Sequence, residues 1–200
     1  MLLAWNGASS CLTTIFMSDS IHPIAKRQLL DFEGRYLNIY SDRVRQPDGE
    51  MISVGISCGA GRLLLKFPKE VTYAERKILD RVLNVSVSKG VGATGLRMDE
   101  IDLMLENDLK QVHEDLIEIK GSVFTDLVEP RKAVLLNMAY QLGVTGCLNF
   151  KKMWARIEEG DYDQASVEML DSRWSQQTHA RALALSQQMK QGKWPRKYLP

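Results

Sequence analysis

The segment from Met98 to Ile119 constrains the fold of this 200-residue chain more than any other. Its apolar residues Met98, Ile101, Leu105, Leu109, Val112, Leu116 and Ile119 recur at steps of three and four, with acids on the positions between. Residues so spaced share one face of an α-helix, so the pattern predicts a long amphipathic helix with one face toward a core. His113 falls on its polar face, the place of a surface residue rather than a ligand. A chain of this length buries a sizeable core, either as one large domain or as two small lobes sharing a helix.

Upstream the texture differs. From Tyr36 to Ala60, aromatic and β-branched residues alternate with polar ones in YLNIYSD and MISVGIS, around Gln46–Pro47–Asp48–Gly49. Proline presets φ and glycine accepts a positive φ, so the pattern reads as a turn within a small antiparallel sheet. Little strand is expected elsewhere. Pro23 starts a short helix over 22–33, and Thr72 with Glu75 makes a capping box for TYAERKILDRVLN. Downstream, Pro130 opens and Gly143 stops PRKAVLLNMAYQLG, and NFKKMWARIEEG ends at Gly160. Asp161 or Asp163 caps DQASVEMLDSRW, while Thr178 opens THARALALSQQMKQG and Gly192 closes it. The expected class is α+β: a small lobe with a short antiparallel sheet, a long connecting helix and an all-helical lobe. The expected division is an extension at 1–21, an α+β lobe at 22–97, the helix at 98–120 and the helical lobe at 121–200. A cleft between such lobes is a natural place for a substrate.

Charge and cysteine usage exclude several classes. Net charge is +1, so the chain as a whole is not built to coat nucleic acid or an anionic membrane. The distribution is uneven, with ten acidic and two basic residues from Asp99 to Glu129, then no acid after Asp171 and six basic residues. The basic end suits an anionic partner, and serves equally to offset the acidic middle of the same fold. Cys11, Cys58 and Cys147 are odd in number and widely spaced, which disfavours a zinc site or disulfide framework and points to free thiols in a reducing cytoplasm. The segment MLLAWNGASSCLTTIFM is too short and too polar to span a bilayer and reads as a flexible extension. SKGVGATG lacks the Gly-Lys-Ser/Thr ending of a phosphate cradle and reads as a loop.

The C-terminal half carries more specific features. NMAYQLG, a TG-x-x-x-F junction, the GDYDQA turn and SRW-x-x-QT-x-x-RA keep their order without gaps over about fifty residues. This arrangement resembles the helical lobe of phage-type lysozymes, those of T-even bacteriophages in particular. The N-terminal half resembles the same family at FEGRYLNIYSD, where Glu33, Gly34, Tyr40 and Asp42 stand in register. Ser53-Val54-Gly55-Ile56-Ser57-Cys58 stands where that family has a T-I-G-x-G-H strand.

The resemblance implies a muramidase. Glycosidic hydrolysis needs one carboxyl to protonate the leaving oxygen and a second carboxylate across the sugar ring. Glu33 would be the general acid, ending an apolar run beside Phe32. Asp42, on a polar stretch before Arg43, would be its ionised partner, and Ser53 would hold the attacking water. The family inverts the anomeric centre, so a carboxyl separation of roughly 6.5–9.5 Å is expected. Arg181 would orient the acid from the helical lobe. Gly59, Tyr140 and Gln141 would line the saccharide groove, and Arg173 would meet the anionic peptide stem. The implied substrate is the peptidoglycan glycan strand, met without metal or cofactor, nucleic acid or stable membrane insertion. The chain would act as a monomer, unless its N-terminal extension mediates virion assembly. It would fold in the host cytoplasm and reach the wall after membrane permeabilisation, or travel with the virion. Ser53, Ser57 and Cys58 depart from the family's threonine, glycine and histidine. They warrant an alternative: a lysozyme-fold wall-binding or virion structural protein with weak or no hydrolysis.

Overall fold

The computed structural model describes residues 21–45, 51–63, 72–89 and 95–200, and these form a mostly helical α+β protein with one small antiparallel sheet. Helix α1 (Pro23–Glu33) starts on proline, whose missing N–H needs no partner there, and the Ile24 N–H donates to His22 Nδ1 at 3.1 Å. It stops at Gly34 (φ +76°), whose N–H donates to the Leu30 carbonyl. Strands β1 (Tyr36–Arg45), β2 (Met51–Gly59) and β3 (Arg62–Leu63) follow in the order β1-β2-β3. The turn expected at Gln46–Gly49 lies outside the described residues, as do residues 1–20 with Cys11, and Gly90–Thr94 of the glycine-rich segment. That segment's Ser88 and Lys89 belong to a helix rather than a loop, because α2 (Tyr73–Lys89) runs past Asn84. At its other end Thr72 Oγ1 accepts from the Glu75 N–H at 3.3 Å, one half of the expected box.

Helix α3 (Met98–Lys120) fulfils the periodic pattern and supplies two hydrophobic clusters. Ile101, Met104, Leu105 and Leu109 pack with Leu29, Cys58, Ala60 and the α2 residues Ile78, Leu79 and Val82. One turn and more beyond, Leu116 joins a larger cluster built from Phe124, Val134, Leu135, Met138, Trp154, Met169, Leu185 and others. Met98 and Ile119, at the two ends of the stripe, are exposed. His113 is half-buried and meets the Phe124 ring edge-on at 5.5 Å between centroids. The polar face is thus narrower than the sequence pattern drew it.

The larger cluster is assembled from short helices. They are α4 (Ser122–Thr125), α5 (Glu129–Leu142), α6 (Val144–Leu148), α7 (Lys151–Glu158), α8 (Tyr162–Leu170), α9 (Arg173–Gln177) and α10 (His179–Gln191), followed by a 3-10 turn at Arg196–Tyr198. Asp161, not Asp163, caps α8, its Oδ1 accepting from the Gln164 N–H at 3.0 Å. The single helix expected from Asp163 to Trp174 is broken in two. Ser172 takes an extended backbone, its hydroxyl donates to the Met169 carbonyl, and its oxygen accepts from the Ser175 N–H. A serine satisfied locally in this way competes with helix continuation. Thr178 opens α10 as expected, its carbonyl accepting the Ala182 N–H, while its hydroxyl donates backwards to the Trp174 carbonyl.

Cys58 and Cys147 are free and buried, and burial pushes the Cys147 thiol up to about 12, which leaves it inert near neutrality. Among the described residues, no three His, Cys, Asp or Glu side chains gather as a metal site, and no helix is long and apolar enough to cross a membrane.

Helix α1 is tied to the far end of the chain. Gln28 and Gln188 hydrogen-bond each other in the interior at 2.6 Å, and Gln188 also donates to the Pro130 carbonyl. Asp31 receives Lys197 Nζ at 2.9 Å and Tyr198 Oη at 2.8 Å. Of the basic C-terminal residues, Arg181, Lys190 and Lys197 pair with Glu33, Asp163 and Asp31, none of them in the acidic stretch 99–129. Those same hydrogen bonds, from Lys197 first and then Tyr198, hold the Asp31 carboxyl below its ordinary value of 3.8. A depressed folded value means that the clamp stabilises the fold above the unfolded value and is lost as pH falls through the folded one. Asp31→Asn should therefore lower the urea midpoint near pH 7 by a small amount, under about 1 kcal/mol for a half-exposed pair. The difference should shrink as pH falls below the ordinary carboxylate range, which urea titrations at neutral and acid pH will read.

Candidate active site

Glu33 is the last residue of α1, and its carboxyl emerges where three other elements meet. Its Oε1 accepts from Arg181 Nη1 at 2.7 Å. Arg181 stands in the first turn of α10 with its side chain only 7% exposed, so its charge needs partners within the fold. Asn137 of α5 supplies them: Oδ1 accepts from Arg181 Nε at 2.7 Å, and the Asn137 backbone carbonyl accepts from Nη2 at 3.3 Å. Phe32 places its ring 5.1 Å from the guanidinium carbon, an additional cation–π contact. The arginine is thereby held on three sides, and it presents one N–H to the glutamate.

The other carboxyl oxygen, Oε2, looks toward the loop between β2 and β3. Cys58 pairs with Arg62, so the loop is Gly59–Ala60–Gly61. Gly61 has φ +83°, and a β-carbon there would lie 3.2 Å from Glu33 Oε2. Glycine meets both demands at this position, a left-handed backbone and a close approach to the carboxyl. Tyr140 of α5 fastens the same loop, its hydroxyl donating to the Ala60 carbonyl at 2.8 Å. Gly59 turns the other way: the space beside its α-carbon is filled by Met104, Leu96 and Ile101.

Asp42 and Ser53 stand on paired strands. Asp42 is opposite Gly55 and Arg43 is opposite Ser53, so the register slips by one residue between them and leaves Val54 without a facing partner. Such a bulge re-aims neighbouring side chains. The side chains of Asp42 and Ser53 lie outside the described residues, and so does their separation from Glu33. Ser57 and Cys58, two of the departures from the lysozyme pattern, are wholly buried, with Cys58 in the core beside Leu29 and Leu79.

Gln141 and Arg173 belong to a second polar region on a neighbouring face of α5. Gln141 Oε1 accepts from Trp174 Nε1 at 2.7 Å. Arg173, exposed at the start of α9, borders an open groove of about 790 Å³ with Phe150, Lys151, Lys152, Glu168 and Asp171. The predicted residues thus fall into two groups. Glu33, Arg181 and Tyr140 converge directly, whereas Gln141 and Arg173 gather around Trp174. Sequence reasoning overlooked Asn137, Ala60, Gly61 and Trp174. Asn137 had one usable signal, since it precedes Tyr140 by three residues and so shares its helical face.

No family model matches the chain. Over 152 residues, 75% of its length, it is 29% identical to the pre-baseplate central spike protein Gp5 of Enterobacteria phage T4. It is 26% identical over 129 residues to the probable T4-type lysozyme 1 of Dictyostelium discoideum, and 34% identical over 62 residues to the probable T4-type lysozyme 2 of that organism. The chain thus resembles phage-type lysozymes, at modest identity. It spans 24% of the spike protein's length, 74% of the first slime-mould lysozyme and 36% of the second.

In this lysozyme-like chain the arginine's support is open to a direct test. Asn137→Ala removes the acceptor for Arg181 Nε and leaves a buried, charged donor unpaired. The expected loss in urea unfolding is about 1–3 kcal/mol, the cost of stranding one buried polar group.

Proposed function

We propose that the chain is a muramidase that hydrolyses the glycosidic bond between N-acetylmuramic acid and N-acetylglucosamine in peptidoglycan, with inversion. One observation carries the reading: the Glu33 carboxyl has one oxygen anchored by a buried arginine and the other turned toward a glycine loop. The likeness to proteins named T4-type lysozymes supports it. The arrangement of the molecule in this reading is two lobes joined by α3, whose halves feed the two hydrophobic clusters.

The chemistry follows from the two oxygens. Oε1 is committed to Arg181, so the proton for the leaving oxygen resides on Oε2. As the bond from the anomeric carbon to that oxygen breaks, the Glu33 proton moves to the departing sugar hydroxyl. A water attacks the opposite face of the ring and gives its proton to Asp42, with the Ser53 hydroxyl steadying it. The charge left on Glu33 is matched by Arg181, already in contact and already desolvated. Preorganised charge of this kind costs little rearrangement at the moment of reaction. The ring of Tyr140, Gln141 and the Gly59 backbone border the glycan, and Arg173 takes a carboxylate of the peptide stem. No metal or cofactor enters these steps. The burial of Ser57 and Cys58 supports reading those departures as changes of packing rather than of proton transfer. Such an enzyme serves phage-mediated lysis, reaching the wall from the host cytoplasm once the membrane is opened.

A second reading is favoured by the likeness to a protein named as a central spike. In it the chain is virion-associated and binds the wall with weak or no hydrolysis. Turbidity loss of outer-membrane-permeabilised Gram-negative cells separates the two. The wild type should clear the cells, and Glu33→Gln, folded by circular dichroism, should clear them at least about 100-fold more slowly. Equal clearing by both proteins would remove Glu33 from the chemistry, and no clearing by either would favour the spike-like reading.

A further inference from the structure

We propose that Tyr140 is a positioning residue, whose hydroxyl fastens the Gly59–Gly61 loop to α5 and so sets the wall against which Glu33 Oε2 rests. Its catalytic consequence rests on the muramidase reading, while its structural part does not.

The loop is seated at its start, where Gly59 pairs with Tyr36 of β1 and Ala60 lies in the smaller core. It joins β2 to β3, whose described residues Arg62 and Leu63 pair with Cys58 and Ser57. Gly59 and Gly61 both sit at positive φ on either side of Ala60, so the backbone between them has unusually wide conformational freedom. Against that freedom stands a side-chain hydrogen bond from another element, Tyr140 Oη to the Ala60 carbonyl. A phenol has a single O–H, and here that donor is spent within the protein. The hydroxyl therefore works on the loop rather than on a sugar.

The helix that supplies the tether also supplies the arginine's support. Asn137 and Tyr140 are three residues apart on α5, hence on one face. Asn137 fixes Arg181, which fixes Oε1, while Tyr140 fixes Ala60, whose neighbour Gly61 approaches Oε2. Both carboxyl oxygens are in this way referred to a single rigid element. If the loop drifted, water would reach Oε2 and the proton donor would lose its fixed orientation toward the leaving oxygen.

The test is Tyr140→Phe, which keeps the ring and removes only the hydroxyl. Hydrogen exchange at the amides of Gly59 and Ala60 should quicken by at least about tenfold, the factor for losing one hydrogen bond of ordinary strength. With soluble peptidoglycan fragments kcat should fall by about ten- to a hundredfold at unchanged KM, as expected for a misplaced catalytic group. Binding of an N-acetylglucosamine oligomer, measured calorimetrically in a Glu33→Gln background, should be unaffected by the added Tyr140→Phe. Gly61→Ala, which puts a methyl 3.2 Å from Oε2, should give the same split between kcat and binding. Weakened oligomer binding with kcat retained would overturn the proposal, because the hydroxyl would then be a sugar ligand. Unchanged exchange at Gly59 and Ala60 would overturn it too. Should the wild type hydrolyse no glycan, the muramidase reading falls, and the exchange rates alone decide whether the tether exists.

Discussion

A guanidinium with almost no access to water is the element around which the rest of this structure is arranged. Arg181 is buried, and an ion removed from water is tolerated only when its donors and its charge are both answered. Its hydrogen bonds go to the carboxyl of Glu33 and to two oxygens of Asn137, and its face lies over Phe32. Helices α1, α5 and α10 must therefore meet at one point, although the contacting residues are 44 or more positions apart in sequence. The end of α1 at Gly34 is what delivers the carboxyl there, because the chain leaves the helix axis one residue after Glu33.

Two further constraints keep that meeting point in place. Helix α1 is shared between the cores: Leu29 belongs to the cluster on the sheet side, whereas Phe32 packs on the larger helical cluster. A displacement of α1 relative to either core would expose apolar surface, at about 25 cal/mol for each Å². Helix α3 divides in the same way between Leu109 and Leu116. The two cores are thus coupled through two separate helices, and the glutamate sits at the end of one of them. Polar ties reinforce the coupling, with Gln28 on Gln188 inside and Asp31 under Lys197 and Tyr198 at the rim.

Much of this was legible in the residues, and the failures are instructive. Periodicity found α3 because its stripe runs through six turns, and Pro23, Pro130, Gly143 and Gly192 marked helix ends through fixed backbone preferences. The alternation in 36–60 found the two long strands. Ser172 was misread, since a serine inside a helical pattern looks the same whether it points to solvent or bonds locally and breaks the helix. Thr178 does open α10, although its hydroxyl donates backwards instead of accepting forwards. Arg181 and Glu33 were found through the likeness to lysozymes, not through periodicity. Asn137 escaped because a buried asparagine in an otherwise apolar helix face differs from a surface one only once its neighbours are known. The long-range bonds of Gln28 and Tyr140 escaped for the same reason: 160 and 80 residues separate the partners.

Asn137 also shows why this arrangement is not a product of stability alone. Its carboxamide turns Oδ1 and its backbone turns a carbonyl to the same guanidinium, and Nδ2 is buried without a partner among the described residues. Stranding a buried donor costs about 1–3 kcal/mol. A leucine at this place would avoid that cost but could not answer Arg181, and an aspartate would bring a second carboxylate to the same guanidinium. A neutral side chain that only accepts from the arginine leaves the cation's charge to Glu33. The local rule of full satisfaction is broken at a residue whose one evident task is to aim Arg181. Departures of this kind gather where geometry is held for function rather than for folding. The orphaned amide thus speaks, independently of any likeness to other proteins, for a geometry in which Arg181 is aimed at the Glu33 carboxyl.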